Sequence, residues 1–449
     1  MSTINTNVSS LIAQRVLKKN NNNLNTSLQR LSTGLKINTG ADNPAGLIAS
    51  ENLRSEKVGI TTAIDNAERA SNIIGTAEGG LTEISSLLTQ VQGLVNQSAN
   101  SGGLSPEEVS ANQLQVDSIL QTVNRIAQST AFQGTKLLNG NYDYTTSSTA
   151  ASATQNLRIN SARVPDGSKV SVVVQVVTSA QTGTLGYTGG TITGSTVTLE
   201  VAGNSGTEQL SFASGTTVSS IATSINSVKN ATGVSATVAG GNLTVSSTGF
   251  GAKQFVGLRA LTGSITGLAS TKDYGADANI TVNGAKAQTD GLKVSYRSSS
   301  LDIEFDLNKL ANTNNLSKTF GVTGGGATFA LGSKVTEGDK ASIGIGSGGA
   351  NALNTTNLVS AQKIVDTAVK QVSQLRGRLG AFQKFTIGST INSLGVAYEN
   401  ASAAESAIRD TDFASETANL TRNQILSQAA STVLSQANAS PQSALQLLR

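Results

Sequence analysis

The stretch that decides the fold is ITTAIDNAERASNIIGTAEGGLTEISSLLTQVQGLV, residues 60–95. Apolar residues recur in it three and four positions apart, without a break, over five heptads. That spacing places them on one stripe of a helix, and such a stripe is buried against other helices. We therefore predict a long helix that packs as in a coiled coil. The stripe consists of Ile60, Ala63, Ala67, Ala70, Ile74, Ala77, Leu81, Ile84, Leu88, Val91 and Val95.

Related stripes follow this stretch and recur near the C-terminus. A second helix is predicted around Val116–Ile126, and a third around Ala361–Phe382. From Ile387 the third ladder continues one position out of phase, beside Gly388, so we predict a local kink or phase adjustment there. The seam that we expect between these helices contains Ile74, Leu81, Ile84, Leu88, Val91, Val365, Val372, Leu375 and Leu379.

Two helix starts are marked by residue pairs that include proline. Asn43 precedes Pro44, so its side chain is placed to cap a helix whose first residue needs no amide proton. Ser105 precedes Pro106, and Glu108 completes the pattern of a capping box. These signals predict that one helix starts at residue 44 and another at residue 106.

Both ends of the chain carry apolar ladders of their own. The N-terminal ladder is interrupted by KKNNNN, residues 18–23, which is a poor helix former. Each terminal helix is therefore expected to need a partner helix. We predict that the two pair with each other and then with copies of the chain. The residues that we assign to this interface are Ile4, Val8, Leu11, Leu24, Leu28, Leu31, Leu35, Leu426, Val433, Ala437, Leu445 and Leu448.

The middle of the chain has a different composition, rich in Thr, Ser, Val and Gly. Alternating segments such as KVSVVVQVV, TVTLEV, NLTVSS and LDIEFDL predict strands, and VPDGS, residues 164–168, predicts a turn. Residues 218–228 interrupt the strands with a short amphipathic helix. The predicted fold class is α+β: an antiparallel helical coiled-coil rod built from both chain ends, with an inserted β-rich outer region.

This organisation predicts five segments. Residues 1–43 and 406–449 are the two parts of an inner helical domain, residues 44–175 and 351–405 are the two parts of a rod domain, and residues 176–350 are the β-rich insertion.

Composition excludes much chemistry. The chain has no Cys and no His, which removes thiolate and imidazole catalysis and the commonest metal ligands. The net charge is only +4 over 449 residues, without a basic face, so nucleic acid is not an expected partner. No apolar run approaches the ~20 residues of a membrane span, and no cleaved signal peptide is visible. We expect no membrane insertion, no cofactor and no enzymatic activity.

Two weaker motifs have ordinary structural explanations. The glycines of GVTGGGATF, residues 321–329, suit a β-turn better than a phosphate loop, because the Gly-Lys-Ser/Thr ending is missing. The carboxylates of LDIEFDL, residues 301–307, alternate as in a half-buried strand, with a calcium site as the less favoured interpretation.

The quoted ladders lie in blocks that resemble bacterial flagellin. LQRLSTGLKINTGADNPAGLIASENLRSE and VNRIAQSTAFQGTKLLNG are similar to its N-terminal region. The C-terminal region of flagellin is similar to a longer block, FQKFTIGSTINSLGVAYENASAAESAIRDTDFASETANLTRNQILSQAASTVLSQANASPQSALQLL. The internal LSFASGTTVSSIATSINS resembles the IN-type module of flagellin insertions.

The resemblance implies a structural subunit of the flagellar filament that serves swimming motility. Such a subunit leaves the cell unfolded by flagellar type III export and assembles into a homopolymer in the extracellular flagellum. The implied partners are further copies of the chain, the flagellar cap, hook-junction proteins and an export chaperone, with possible surface glycans.

One departure concerns the segment that many flagellins present to a vertebrate innate receptor. This chain has TQVQGL at residues 89–94, where many flagellins have charged residues. Gln90 and Gly93 replace those charges, and Leu94 is retained. The resemblance therefore does not carry recognition by that receptor over to this chain.

Three alternatives to a filament subunit remain open at this point. A hook–filament junction protein of the same superfamily is the first. An enzyme housed in the β-rich insertion is disfavoured by the missing His and Cys. An adhesin or glycan-binding surface on the insertion is permitted by the sequence.

Overall fold

A computed structural model describes most of the chain and divides it into two compact units. The first, here the helical unit, draws on residues 1–72, 330–340 and 381–449, and the second, the mixed unit, on residues 73–329 and 341–380. The described residues are 6–100, 103–147, 154–165, 168–188, 191–192, 195–263, 267, 271–349 and 358–447, with side chains described up to residue 439.

Helices dominate both ends of the chain, as the apolar ladders predict. The helices are α1 Val8–Thr33, α2 Pro44–Ser98, α3 Pro106–Ser129, α4 Val218–Ser227, α5 Lys229–Thr232, α6 Leu358–Ala381, α7 Ser389–Arg409 and α8 Phe413–Leu447. Both predicted helix starts are confirmed. The Asn43 Oδ1 accepts from the Gly46 amide at 2.9 Å, and Ser105 and Glu108 form the reciprocal capping box.

The stripe of α2 is buried along its whole length, with every one of its eleven residues at most 5% exposed. In the mixed unit, its C-terminal half packs against α3 and α6, where Val91, Val116 and Val365 share one apolar cluster. In the helical unit, its N-terminal half runs antiparallel to α7. Lys57 Nζ lies 2.8 Å from Glu405 Oε2, and the Arg409 guanidinium lies 3.0 Å from Glu51.

The predicted phase slip near Gly388 is a π-helical segment, Phe382–Gly388, between α6 and α7. The seam positions Phe382 and Ile387 are five residues apart, which is the spacing that one π-helical turn places on one face. Ile387 is 1% exposed, whereas Phe385 is 68% exposed. The π segment therefore accommodates one extra residue, so that Ile387 remains buried. The Gln383 amide fixes it to α2 by donating to Ser71 Oγ at 2.8 Å.

The β-rich region contains the predicted strands. In chain order they are β1 Ala131–Phe132, β2 Thr135–Lys136, β3 Tyr144–Ser147, β4 Thr154–Ala162, β5 Val170–Thr178, β6 Thr184–Tyr187, β7 Val197–Gly203, β8 Gly206–Phe212, β9 Val234–Ala239, β10 Asn242–Ser247, β11 Phe255–Thr262, β12 Lys272–Tyr274, β13 Asn279–Val282, β14 Ala285–Lys286, β15 Gln288–Asp290, β16 Lys293–Arg297, β17 Leu301–Leu307, β18 Ser317–Gly325, β19 Ala327–Ala330 and β20 Lys340–Ile343. The turn predicted at residues 164–168 includes 166–167, which lie outside the described residues.

Within the described ranges, most of these strands contribute to two apolar cores. In the first, the five-stranded sheet β14-β13-β5-β18-β3 shares its core with the four-stranded sheet β15-β16-β17-β4. In the second, the sheets β12-β11-β7-β8 and β6-β10-β9 pack with α4. The short helix predicted at residues 218–228 is thus confirmed, and the Thr217 hydroxyl caps it by accepting from the Ser220 amide.

Strand β17 gives the carboxylates of LDIEFDL a structural role. Its apolar residues point into the core, and its carboxylates face outward. Asp302 accepts from Asn160 at 2.9 Å, Glu304 pairs with Arg297 at 3.1 Å, and Asp306 accepts from Asn156 at 2.9 Å. Within the described ranges, no group of acidic residues is arranged to hold a metal ion.

Deletion of Phe385 tests the role of the π segment. The deletion sets Phe382 and Ile387 four residues apart. We therefore expect an uninterrupted α-helix in which the apolar residues of both α6 and α7 stay buried. Its free energy of unfolding should stay within about 1 kcal/mol of the wild-type value. Deletion of the exposed Ser373, in the middle of α6, turns the apolar residues on one side of the deletion away from the interior. It should lower the free energy of unfolding by about 2–5 kcal/mol. Urea unfolding followed by circular dichroism compares the two. Equal destabilisation by both deletions would contradict the assignment.

Candidate self-association surface

The terminal helices α1 and α8 pair antiparallel within the helical unit. Near one end of the pair, Asn7 Nδ2 donates to the Ala437 carbonyl at 2.8 Å. Near the other end, the Arg30 guanidinium lies 3.7 Å from Glu416 Oε2. Rising residue numbers in α1 thus meet falling numbers in α8. The predicted partnership between the two chain ends is present in the structure.

The contact between α1 and α8 is built from small and polar residues rather than from the large apolar ones. Ser10, Ala13 and Ser27 of α1 are at most 7% exposed. On α8 the most buried residues are Ala430 and Glu416, each 7% exposed. Small side chains let two helices approach closely, but they bury little apolar area, so this pair gains little hydrophobic stabilisation.

The asparagine run of α1 supplies part of this contact. Asn20 Nδ2 donates to the Leu426 carbonyl at 3.0 Å, and Asn21 Oδ1 accepts from the Ser427 hydroxyl at 2.6 Å. A third bond joins the Asn423 amide to Ser27 Oγ at 3.2 Å. The run that is unfavourable for an isolated helix therefore serves the pairing of two helices.

Many large apolar residues of both helices face outward. Val8, Leu11 and Ile12 are 57%, 57% and 49% exposed, and Ile425 and Val433 of α8 are 63% and 59% exposed. A groove of about 410 Å³ lies between the two helices. It is lined by Ser9, Ile12, Ala13, Val16, Asn20, Leu426, Ala429, Ala430 and Val433. Contiguous exposed apolar surface of this kind marks a site of protein association.

The residues predicted for this interface fall into three groups. Val8, Leu11, Leu28, Leu426 and Val433 are exposed on the described helices. A second group is half-buried: Leu24 and Leu31 on α1, Ala437 on α8, and Leu35, which follows α1 and forms an isolated β-bridge with Asp410. Ile4 and Leu448 lie outside the described residues, as does the side chain of Leu445.

The sequence-based assignment missed the polar residues of the contact: Ser10, Asn20, Asn21, Ser27, Asn423 and Ser427. Their spacing could have identified them, because Asn20 and Ser27 are one heptad apart, as Leu24 and Leu31 are. A search restricted to apolar residues cannot find a polar seam.

The seam between the rod helices lies in the interior. Of its members, Ile74, Leu81, Ile84, Leu88, Val91, Val365, Leu375 and Leu379 are buried, and Val372 is half-buried. In the TQVQGL segment, residues 89–94, Gln90 and Gly93 are exposed, and Leu94 packs against the apolar cluster around Val91.

Two chain segments join the terminal helices to α2 and α7. Gly34 closes α1 in the left-handed conformation, at φ 73°, which glycine adopts without strain. Its carbonyl accepts from the Thr411 amide at 2.9 Å, and the Lys36 amide donates to the Arg409 carbonyl at 2.7 Å. These bonds tie the entry to α2 to the exit from α7.

Asp42 stabilises the same joint. Its Oδ2 accepts from the Thr39 amide at 2.8 Å, the Thr39 hydroxyl at 3.0 Å and the Asn38 amide at 3.1 Å. The bond from the Thr39 amide is the largest cause that holds the pKa of the Asp42 carboxyl below its usual value of 3.8.

Three family models match the chain in order. They are the bacterial flagellin N-terminal helical region at residues 4–143, the flagellin hook IN motif at residues 188–249 and the bacterial flagellin C-terminal helical region at residues 362–448. Flagellin D of Vibrio anguillarum is 32% identical over 450 residues, which cover 99% of each chain. Flagellin C of Vibrio cholerae is also 32% identical over 450 residues, with the same coverage.

Solved structures with some similarity include FlgL of Xanthomonas campestris, with 13% identity and a TM-score of 0.21 over 83% of this chain and 98% of that one. FliC of Burkholderia pseudomallei has 16% identity and a TM-score of 0.17 over 76% of this chain and 98% of that one. Both TM-scores lie below 0.5.

The chain belongs to the bacterial flagellin family. It is a structural subunit of the flagellar filament, and its place of action is the extracellular flagellum. In the described part of the chain, no helix combines the length and hydropathy needed to cross a membrane.

Replacement of Asp42 by Asn tests the joint. A depressed carboxyl pKa stabilises the folded state above the unfolded-state value of 3.8, and this stabilisation is lost as the pH falls through the lower folded-state value. We expect D42N to be less stable than the wild type at neutral pH, with the difference shrinking below pH 3.8. Urea unfolding at neutral and acidic pH measures both. A difference that is independent of pH would exclude this role of the carboxylate.

Proposed function

We propose that the outward stripes of α1 and α8 are the surfaces through which copies of this chain assemble into the filament. The observation that carries the proposal is that polar and large apolar residues occupy different faces of these helices. Polar residues occupy the contact within the chain, and large apolar residues such as Val8, Leu11 and Val433 face outward. Full burial of one such side chain is worth about 1.5–3 kcal/mol. Several per subunit give a strong drive toward association.

The proposal explains why a chain would keep such helices at its ends. Ordering one residue costs about 1–2 kcal/mol in backbone entropy. The polar pair of α1 and α8 offsets little of that cost by itself, because a hydrogen bond contributes only about 0.5–1.5 kcal/mol net. Contacts with further copies add the missing burial. A repeated contact that does not close on itself generates a helical fibre.

We propose the following division of the chain in the filament. Residues 1–43 and 406–449 form the inner core, and residues 44–175 and 351–405 form the surrounding rod domain. Residues 176–350 form the outward insertion. The apolar exposure of α1 and α8 supports the first assignment. The core that α4 shares with the sheets β12-β11-β7-β8 and β6-β10-β9 lies wholly within residues 176–350 and supports the last.

We extend the proposal to three other partners: the flagellar cap, hook-junction proteins and an export chaperone. The exposed stripes of α1 and α8 suit other helical surfaces as well as copies of the chain, and they need shielding before assembly. Surface glycans would attach to the Ser- and Thr-rich insertion. Nucleic acid remains outside the proposal, since the charge of +4 is small.

The stripe can be tested by replacing Leu426 and Val433 with Ser. Because both side chains are exposed in the subunit, we expect the double variant to fold as the wild type does. It should fail to elongate short filament fragments used as seeds, as followed by light scattering and negative-stain electron microscopy. Val335→Ser is the matched control, because Val335 is 89% exposed but lies outside the terminal helices. Normal elongation by L426S/V433S would exclude these residues from the interface.

Hydrogen exchange tests the energetic part of the proposal. We expect amides of α1 and α8 to exchange rapidly in the isolated subunit and slowly in the filament, whereas the buried part of α2 is protected in both. Mass spectrometry of peptides from both states provides the comparison. Equal protection of α1 and α8 in the two states would contradict the idea that association orders them.

A further inference from the structure

The α1–α8 contact contains a line of polar pairs, here called the polar seam. It comprises Ser10–Asn438, Asn20–Leu426 carbonyl, Asn21–Ser427, Ser27–Asn423 and Arg30–Glu416. Four of these pairs join two side chains, with heavy-atom separations of 2.7, 2.6, 3.2 and 3.7 Å. Pairs between side chains depend on which residues face each other, so they can distinguish one alignment of the helices from another.

Apolar spacing alone cannot make this distinction. In the ladder of α8, Leu426 and Val433 are one heptad apart, and so are Ala430, Ala437 and Ala444. A slip of one heptad, about 10.5 Å along the axis, therefore brings equivalent apolar positions back into contact. Hydrophobic contact is non-directional and does not oppose such a slip.

The polar seam does oppose it. A slip of one heptad places Asn21 opposite Leu434 in one direction and opposite Leu420 in the other. A slip in either direction also takes Glu416 away from Arg30. Each mismatch loses a hydrogen bond or an ion pair, and polar residues at helix contacts are known to fix alignment in this way.

The alignment decides whether the outward surface is continuous. The groove of about 410 Å³ is lined by Ile12 and Val16 of α1 together with Leu426 and Val433 of α8. A slip of one heptad would move the two halves of this lining apart along the axis. The polar seam thus determines which apolar residues stand side by side on the surface offered to other copies.

We propose that the polar seam, and the Asn21–Ser427 pair in particular, sets the register of α1 against α8 and thereby composes the assembly surface. This inference rests on the proposed function, since the surface is the one through which copies associate. Asn21 acts as a positioning residue: it contacts α8 of its own chain and aligns the apolar residues that meet other copies. Asn20 strengthens the contact through a backbone carbonyl, which any register offers.

The asparagine run offers a matched test. N20A/N21A removes two seam contacts, whereas N22A/N23A makes the same chemical change at the two exposed neighbours. Asn→Ala raises helix propensity equally in both variants. A difference between them therefore reports the contacts with α8 and not the intrinsic stability of α1.

Disulfide trapping reads the register directly, because the chain has no cysteine of its own. The pair S27C/N423C reports the native alignment, and S27C/A430C reports a slip of one heptad. Each pair is introduced into the full chain in the wild-type, N20A/N21A and N22A/N23A backgrounds. Filaments are grown from wild-type seeds, oxidised and analysed by non-reducing electrophoresis.

We expect the native crosslink to predominate in the wild-type and N22A/N23A backgrounds. In N20A/N21A the ratio of slipped to native crosslink should rise about fivefold, as expected for the loss of the one hydrogen bond that depends on the register, Asn21–Ser427. An unchanged ratio in filaments of N20A/N21A would overturn the inference. If N20A/N21A does not elongate the seeds, N21A, which removes only the Ser427 contact, is judged by the same criterion. Failure of the wild-type chain to elongate seeds would instead refute the proposed function.

Discussion

The polar contact between α1 and α8 is the constraint on which the rest of the structure depends. Asn, Ser and a single Arg–Glu pair occupy the positions where the two helices meet. Because the buried positions are filled by small and polar groups, large apolar side chains such as Val8, Leu11 and Val433 remain exposed. A chain with these ends is incomplete by itself, which suits a structural subunit of a polymer better than a protein that acts alone.

The long helices between the ends and the insertion follow a different rule. The stripe of α2 is buried within the chain, so it needs no other copy to cover it. The π segment belongs to the same scheme. It absorbs one residue that would otherwise turn Ile387 away from the interior, and it leaves Phe385 outside. Internal seams are thus completed within the subunit, whereas the terminal stripes are left open.

Much of the fold could be predicted from the sequence. The unbroken ladder from Ile60 to Val95 specified α2, the caps at Asn43 and Ser105 specified two helix starts, and alternation specified strands such as β17. The one-residue phase slip at Gly388 was visible, but its form as a π-helix was not. A kink, a bulge and a π turn all accommodate one extra residue, and only the backbone hydrogen bonds distinguish them.

The candidate site could be predicted only in part. The sequence identified which residues are apolar and periodic, and that both ends need partners. It did not reveal that Leu426 and Val433 stay exposed while Ala430 is buried, because all three share one ladder.

The sequence by itself determined the helical ends, the β-rich insertion and the absence of cysteine and histidine chemistry, since these follow from local periodicity and composition. Only the tertiary structure decided which face of each terminal helix turns inward. That choice depends on hydrogen bonds between residues some 400 positions apart, such as Asn20 with Leu426, and no local pattern contains them.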